Sequence, residues 1–331
     1  MAGLFLARAT DALDDRLGLG EAIGGMVLLA IAGTLPELAI TVSATASGNL
    51  DVAAGNLLGG IAIQTLVLAM CDFSLTGKRP LSYLVGSLLP ILEGAMVVAV
   101  LAVVLMGAVL PTSDAIAGTV SPASIAIVVV WAFGLMVLNQ SRKAPRWEMV
   151  MEGSEPGRAH RRIEHPESPK PYVRSKTLMI GLIFLAAAGV TLAAGVLLET
   201  SGNVLADRAG MNGVIFGATF LAIPSALPEI SSGLTAVRMG DNQLAMADIL
   251  GGNSFQVCLF LVADLVAGQP VLPEIGVPNA WLASLGILIT IVYAMAVLLR
   301  PERRYLRLGP DSILAIGIYA VGLVGLVEIS S

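Results

Sequence analysis

The chain has 331 residues, a formal net charge of −5, 56% hydrophobic residues and only 13% charged ones. That balance excludes an ordinary soluble domain. Its two cysteines, Cys71 and Cys258, stand alone in apolar surroundings with no CxxC spacing and no nearby histidine, so they are expected to be inert buried thiols.

A membrane-spanning helix needs about 20 mainly apolar residues. In chain order, nine such stretches run over 20–46, 52–76, 84–110, 122–139, 177–200, 212–237, 244–267, 280–299 and 311–328. Before them, Ala2 to about Leu13 reads as the last part of a tenth span whose beginning is missing. Either the start codon lies upstream, or the chain has been shortened, or this half has lost part of a helix.

The segment 140–176 holds nine of the nineteen Lys and Arg residues, with five glutamates, five prolines and both histidines. This composition predicts a solvated linker in which His160 and His165 are bystanders. Positive residues are retained in cytoplasmic loops, so 140–176 is expected to be the central cytoplasmic loop. Threading the spans outward from it puts Lys78, Arg79, Arg238 and the Arg300 to Arg307 cluster on the same side and Arg208 on the other. Loops 111–121 and 268–279 then carry no Lys or Arg, as translocated loops should. The expected location is the cell's inner (plasma) membrane, crossed many times. The lipid bilayer is a partner, nucleic acid is not, no cofactor is expected, and the oligomeric state is left open.

An internal repeat organises the chain. An offset of 192 residues maps Leu35-Pro36-Glu37 onto Leu227-Pro228-Glu229, Leu58-Gly59-Gly60 onto Leu250-Gly251-Gly252, and Gln64 onto Gln256. It also maps Asp15-Arg16 onto Asp207-Arg208, and sets Asn56 opposite Asp248 and Asp72 opposite Asp264. The repeats are therefore 1–139, with its first helix truncated, and 177–331, joined by 140–176. Five spans per half is an odd number, so the second half must enter the membrane in the opposite sense to the first. The predicted fold class is an all-α polytopic membrane protein of two inverted five-helix repeats, about ten transmembrane helices when intact.

The chemistry is expected where the repeats agree best. Pro36 and Pro228 lie about midway along their spans. A proline there deletes a backbone donor and clashes with the carbonyl four residues earlier, which frees the carbonyls of Ala32 and Pro224. Irregular backbone at that depth is tolerated where it lines a cavity or an ion site. Glu37, Glu229 and Asp248 each cost about 2.5–3.5 kcal/mol at the centre of a span if ionised and unpaired. No Lys or Arg shares those spans, so a bound cation or protonation must offset the charge.

A hard cation such as Ca2+ takes six to eight oxygens at flexible geometry. The candidate ligands are the Glu37, Glu229 and Asp248 carboxylates, the Asn56 amide, the Thr34 and Ser225 hydroxyls, and the freed carbonyls. Magnesium would keep its waters, and zinc would want His or Cys. The Gly59-Gly60 and Gly251-Gly252 pairs are expected to let another helix approach closely. Glu93 has no acidic counterpart at Leu285 and is left as either a proton relay or part of a packed polar network. Asp72, Asp264 and Glu199 lie at span ends, where an exposed helix-terminal role is expected.

The paired segments Gly33-Thr34-Leu35-Pro36-Glu37 with Ala54-Gly55-Asn56-Leu57-Leu58-Gly59-Gly60, and Leu227-Pro228-Glu229 with Ala247-Asp248-Ile249-Leu250-Gly251-Gly252-Asn253, resemble the α-repeats of the cation/calcium exchanger superfamily. The resemblance covers nearly the whole chain. It implies ten spans, both termini outside, alternating access and a central site where the two glutamates bind Ca2+. Asn56 and Asp248 would line that site, and hydroxyls before each Leu-Pro-Glu would help to bind Na+. The family usually has a Thr-Ser pair there; this chain keeps one hydroxyl of two in each half, Thr34 beside Gly33 and Ser225 beside Ala226. Sodium is favoured as the coupling ion because Asp248 supplies a third acid, with protons as the alternative. Two other classes are weighed against a Ca2+ antiporter. A non-transporting scaffold or sensor would have no reason to keep Glu37 and Glu229 in register. An enzyme would need His ligands or a nucleophile beside a base, which the spans lack.

Overall fold

The computed structural model describes residues 33–143 and 177–330. The predicted Ala2 to Leu13 helix end, the start of the 20–46 span, and nearly all of the central segment with His160 and His165 lie outside the described residues. All of the described secondary structure is helical, apart from two isolated bridges in turns, Ile116 with Val120 and Tyr305 with Leu308.

The first half contributes α1 (Leu35–Ala46), α2 (Leu50–Ser74), a single turn α3 (Leu81–Leu84), α4 (Leu89–Gly107) and α5 (Pro122–Lys143). The second contributes α6 (Thr177–Ala209), α7 (Gly213–Ser225), α8 (Leu227–Arg238), α9 (Asn242–Gln256), α10 (Leu259–Ala267), α11 (Gly276–Leu299) and α12 (Pro310–Ser330). Among the described residues, seven segments, with α9 and α10 taken together as one, are long and apolar enough to cross a membrane, or eight if the bent pair α7–α8 counts as one span. The chain is a multi-pass membrane protein.

The repeat is written into the helix boundaries. Both ends of α1 recur in α8 at the 192-residue offset, and each helix has its proline at the first turn, where the missing N–H costs nothing. Each is followed by a glycine at the same offset, Gly48 (φ 78°) and Gly240 (φ 83°), in the left-handed conformation that ends a helix. The expected break at the proline is present in the second half: α7 and α8 meet at Ala226 with a bend of 44°. Just before it, Gly217–Leu221 is a π-helical turn, the kind of local widening that accumulates at functional sites.

Helix α2 is the axis of the molecule and is buried along most of its length, whereas α5, α6 and α12 expose rows of large apolar side chains to the bilayer. Side chains are absent where α7 crosses α2. A Cβ at Gly59 would strike the Cα of Ala218, and one at Gly217 would lie 2.6 Å from the Val52 carbonyl oxygen and 2.9 Å from the Asn56 nitrogen. The two backbones touch there, as the sequence predicted for Gly59. Gly251 and Gly252 meet nothing within 4 Å among the described residues.

Two carboxylates expected to be exposed are fully buried instead. At the end of α2, Asp72 accepts hydrogen bonds from Leu81 N (2.9 Å), Gly309 N (2.5 Å) and Ser312 Oγ (2.9 Å), and pairs with Arg304 at 3.8 Å. At the end of α10, Asp264 accepts from Val271 N (2.7 Å) and Ser121 N (2.9 Å). Each acid therefore ties its own half to the start of the last helix of the other half, α12 for Asp72 and α5 for Asp264. A carboxylate is stabilised there by backbone donors and the positive end of a helix dipole, which explains its burial. Glu199 is also buried rather than exposed: it accepts from Ser43 Oγ at 2.7 Å and from Asn203, fastening α6 to α1.

These ties fix the two faces. The α2–α3 and α11–α12 loops meet through Asp72, and the α4–α5 and α10–α11 loops meet through Asp264 at the opposite end of α4 and α11. Equivalent ends of the two halves thus lie on opposite faces, which is the predicted inversion. Replacing Asp264 by Ala is expected to leave two buried N–H donors without acceptors, at about 1–3 kcal/mol each. Thermal unfolding in detergent should show a clearly lowered midpoint for D264A and an unchanged one for a nearby surface control such as D114A.

Candidate cation site

Glu37 sits in the first turn of α1 and Glu229 in the first turn of α8, each one residue after its proline. Both are buried. Each helix begins among buried residues, so its first-turn amides and its acid lie in the interior together.

The halves meet crosswise. The Ser225 hydroxyl, from the residues before the second Leu-Pro-Glu, lies beside the Glu37 carboxylate. At the equivalent place in the other half, an ideal Cβ on Gly33 would lie 3.9 Å from Glu229 Oε1. Glu229 in turn lies in the field of both Glu37 and Asp248. Gln64 on α2 donates from Nε2 to Glu37 Oε1 at 3.0 Å. Among the described residues, Glu37 Oε2, Glu229 Oε2 and both polar atoms of the Asn56 side chain have no hydrogen-bond partner. Unpaired buried polar atoms are costly. Their clustering on the facing elements marks a place built for something that supplies positive charge or donors.

The predicted set is not drawn together equally. Glu37, Glu229 and Ser225 are buried and lie together where α1 meets α7 and α8, Asn56 is buried on α2 beside Gly217 of α7, and Thr34 is buried at the start of α1. Asp248 is on α9, only half-buried, and accepts a hydrogen bond from Ser232 Oγ. Among the described residues, no three His, Cys, Asp or Glu side chains converge closely enough to hold a metal by themselves. Any cation here must complete its shell with amide, hydroxyl, carbonyl or water oxygens, as Ca2+ readily does.

Two polar partners were not assigned roles from the sequence. Gln64 matches Gln256 across the repeat, yet Gln64 holds Glu37 while Gln256 donates to the Leu57 carbonyl at 2.7 Å. Ser232 lies one helical turn beyond Glu229, but its counterpart is Ile40, so the repeat gave no signal for it. The two cysteines are free and buried, and Glu93 is buried in α4 beside Gly94, which packs towards Thr290 and Ala294 of α11.

A family model described as "Sodium/calcium exchanger protein" matches residues 1–142 and 178–327. The putative antiporter CaxA of Alkalimonas amylolytica is 24% identical over 287 residues, covering 87% of this chain and 81% of that protein. Among solved structures, the H+/Ca2+ exchanger CAX superposes with a TM-score of 0.64 at 17% identity, over 99% of this chain and 82% of that one. The sodium-calcium exchanger NCX_Mj superposes with a TM-score of 0.58 at 12% identity, over 98% and 93% respectively. At these identities the two structures establish the shared fold, and they fall on either side of the choice between sodium and protons.

A hydrogen bond to a charged group is worth about 1.5–3 kcal/mol. Replacing Gln64 by Leu is therefore expected to weaken cation binding at Glu37 by roughly tenfold, since 1.4 kcal/mol is a factor of ten. Titration of the purified protein with Ca2+ checks this; an unchanged affinity would mean that Gln64 only packs.

Proposed function

Because the chain belongs to the sodium/calcium exchanger family, we propose that it is a secondary antiporter that binds Ca2+ between its two Leu-Pro-Glu segments and exchanges it for Na+ by alternating access. One observation carries the proposal. Two buried glutamates from opposite halves lie in each other's field at helix starts, each with an oxygen unpaired among the described residues, and the one basic residue of α1, α7 and α8 is Arg238, in the last turn of α8. Like charges in a medium of low dielectric repel strongly, so the site is stable only when a cation or protons neutralise it.

In this reading Glu37 and Glu229 are the central ligands, and Ser225 and Thr34 add hydroxyl oxygens. Asn56 turns its free amide oxygen to the ion, and Asp248 joins on leaving Ser232. The entering ion competes with the leaving ion for the same carboxylates, which is what couples them. The family is one of exchangers, and no catalytic step is assigned to any residue. The membrane is the cell's inner (plasma) membrane, with the 140–176 segment and the basic loops on the cytoplasmic side.

A proton-coupled version is favoured by one observation: Gly33 stands where a hydroxyl would face Glu229. With an oxygen ligand missing there, protonation of the same glutamates could take the place of sodium.

Radioactive Ca2+ uptake into proteoliposomes under an outward sodium gradient, then under an outward proton gradient, tests both versions. Sodium-driven uptake that is lost in Glu229→Gln is expected. Uptake driven by protons alone would move the protein to Ca2+/H+ exchange, and uptake under neither gradient would sink the calcium assignment. Among the described residues, a side chain at Gly33 would meet only Glu229, so Gly33→Ser should fold and strengthen the sodium dependence of uptake. A Gly33→Ser protein with the same sodium dependence as the parent would show that this position does not govern coupling.

A further inference from the structure

The face that carries the basic loops holds a second constructed feature, remote from the glutamates. The α2–α3 loop and the α11–α12 loop enclose an open cleft of about 510 Å³. Its rim carries Lys78, Arg303 and Arg307, with Glu302 as the one acid and Tyr305 beside it. Among the described residues, none of the three cations has a carboxylate partner.

The cleft is held open by Arg304, which is used differently from its neighbours. Its guanidinium donates to the carbonyls of Leu75 (3.1 Å), Gly77 (2.7 Å), Asp72 and Arg307, and pairs with Asp72. One arginine thus sews the two loops together. The loop backbone also adopts conformations that side chains rarely allow: Arg300 (φ 48°), Leu306 (φ 52°) and Arg307 (φ 69°) are all left-handed. Such residues persist only where the surroundings fix them.

The consequence of that backbone is an apolar tip. Leu306 is 91% exposed between the cations, and Phe73, at the end of α2, is half exposed with the Arg307 guanidinium 4.9 Å from its ring centroid. Leu299, at the end of α11, is also largely exposed. Cations, a tyrosine and protruding apolar side chains at the end of spanning helices match the depth profile of a phospholipid, with charge at the headgroup and hydrocarbon below it.

We propose that this cleft is a binding site for an anionic glycerophospholipid, whose phosphate sits among Lys78, Arg303 and Arg307 while Leu306 and Phe73 pack against its glycerol and upper acyl region. A free phosphate would share the chemistry of the three cations but has no use for Leu306. Basic pockets between spanning helices recognise headgroups in this way, with attraction from each nearby cation. The bound lipid would bridge the loops that join α2 to α3 and α11 to α12, and so would link the two halves at the face where Asp72 already does.

The test uses the full chain in nanodiscs of phosphatidylcholine with a minor fraction of phosphatidylglycerol, released for native mass spectrometry to identify the retained lipid. Retention of phosphatidylglycerol over phosphatidylcholine is expected, falling about tenfold or more in K78Q/R303Q/R307Q. L306S, a surface change far from any packed contact, should fall in the same direction. An unchanged melting midpoint would show that the variants are folded, and K78Q alone, on an exposed loop, is the fallback if the triple variant is not. Equal retention in parent and variants overturns the site. Displacement of the lipid by millimolar inorganic phosphate, with L306S behaving as the parent, overturns the lipid and leaves a soluble-anion site.

Discussion

Two carboxylates are held in the interior of a membrane protein with no basic side chain beside them among the described residues, and much of the structure follows from accommodating that charge. Glu37 and Glu229 each follow a proline in the first turn of a helix that begins among buried residues. Such a start is possible only where neighbouring helices shield the irregular backbone from lipid. The close passage of α7 over α2 through Gly59 and Gly217 provides shielding for the second such start, and a π-helical turn lies in α7 ahead of the 44° bend.

The two halves share a plan without sharing every detail. Asp72 and Asp264 perform the same cross-tie on opposite faces, so the frame is close to symmetric. The centre is less so. Ser225 meets Glu37 where Gly33 meets Glu229; Gln64 holds a carboxylate where its repeat partner Gln256 holds a backbone carbonyl. Helix α2 runs unbroken for 25 residues, whereas its counterpart is interrupted at Val257 and Cys258 between α9 and α10. Two similar halves in different local conformations are the basis on which inverted-repeat transporters can exchange roles and open a central site to either side. A frame tied by buried aspartates around a centre that is loosely satisfied suits that motion.

Much of this was legible in the sequence because membrane insertion leaves few options. Long apolar stretches must become helices, their odd number per repeat must invert the second half, and a proline followed by a glutamate at mid-span must break a helix beside a charge. The helix boundaries of α1 and α8, and their terminating glycines, keep the repeat offset to the residue. The misjudged acids share a physical cause. Asp72 and Asp264 lie at span ends, where solvent is the usual partner, and Glu199 was read as one more span end although α6 runs on past it to Ala209; their partners include backbone amides and hydroxyls from loops and helices far away in sequence. Backbone donors leave no mark in residue identity. The same holds for Gln64, whose repeat match was visible but whose direction depends on which helix lies across from it, and for Ser232, whose counterpart is apolar. The basic loop 300–307 was legible as a marker of sidedness only; its folded shape, fixed by Arg304 and three left-handed residues, was not.

The most direct test of the central claim is the effect of Ca2+ on thermal stability in the parent and in Glu37→Gln/Glu229→Gln. A ligand that binds only the folded protein raises stability by RT ln(1 + [L]/Kd), about 2.7 kcal/mol at a hundredfold excess over Kd. The parent should be stabilised by Ca2+ in that way. The double variant, freed of two like charges in a dry site, should be at least as stable as the ion-free parent and indifferent to Ca2+. Equal stabilisation of both proteins by Ca2+ would contradict the account, because the ion would then be binding somewhere other than between the two glutamates.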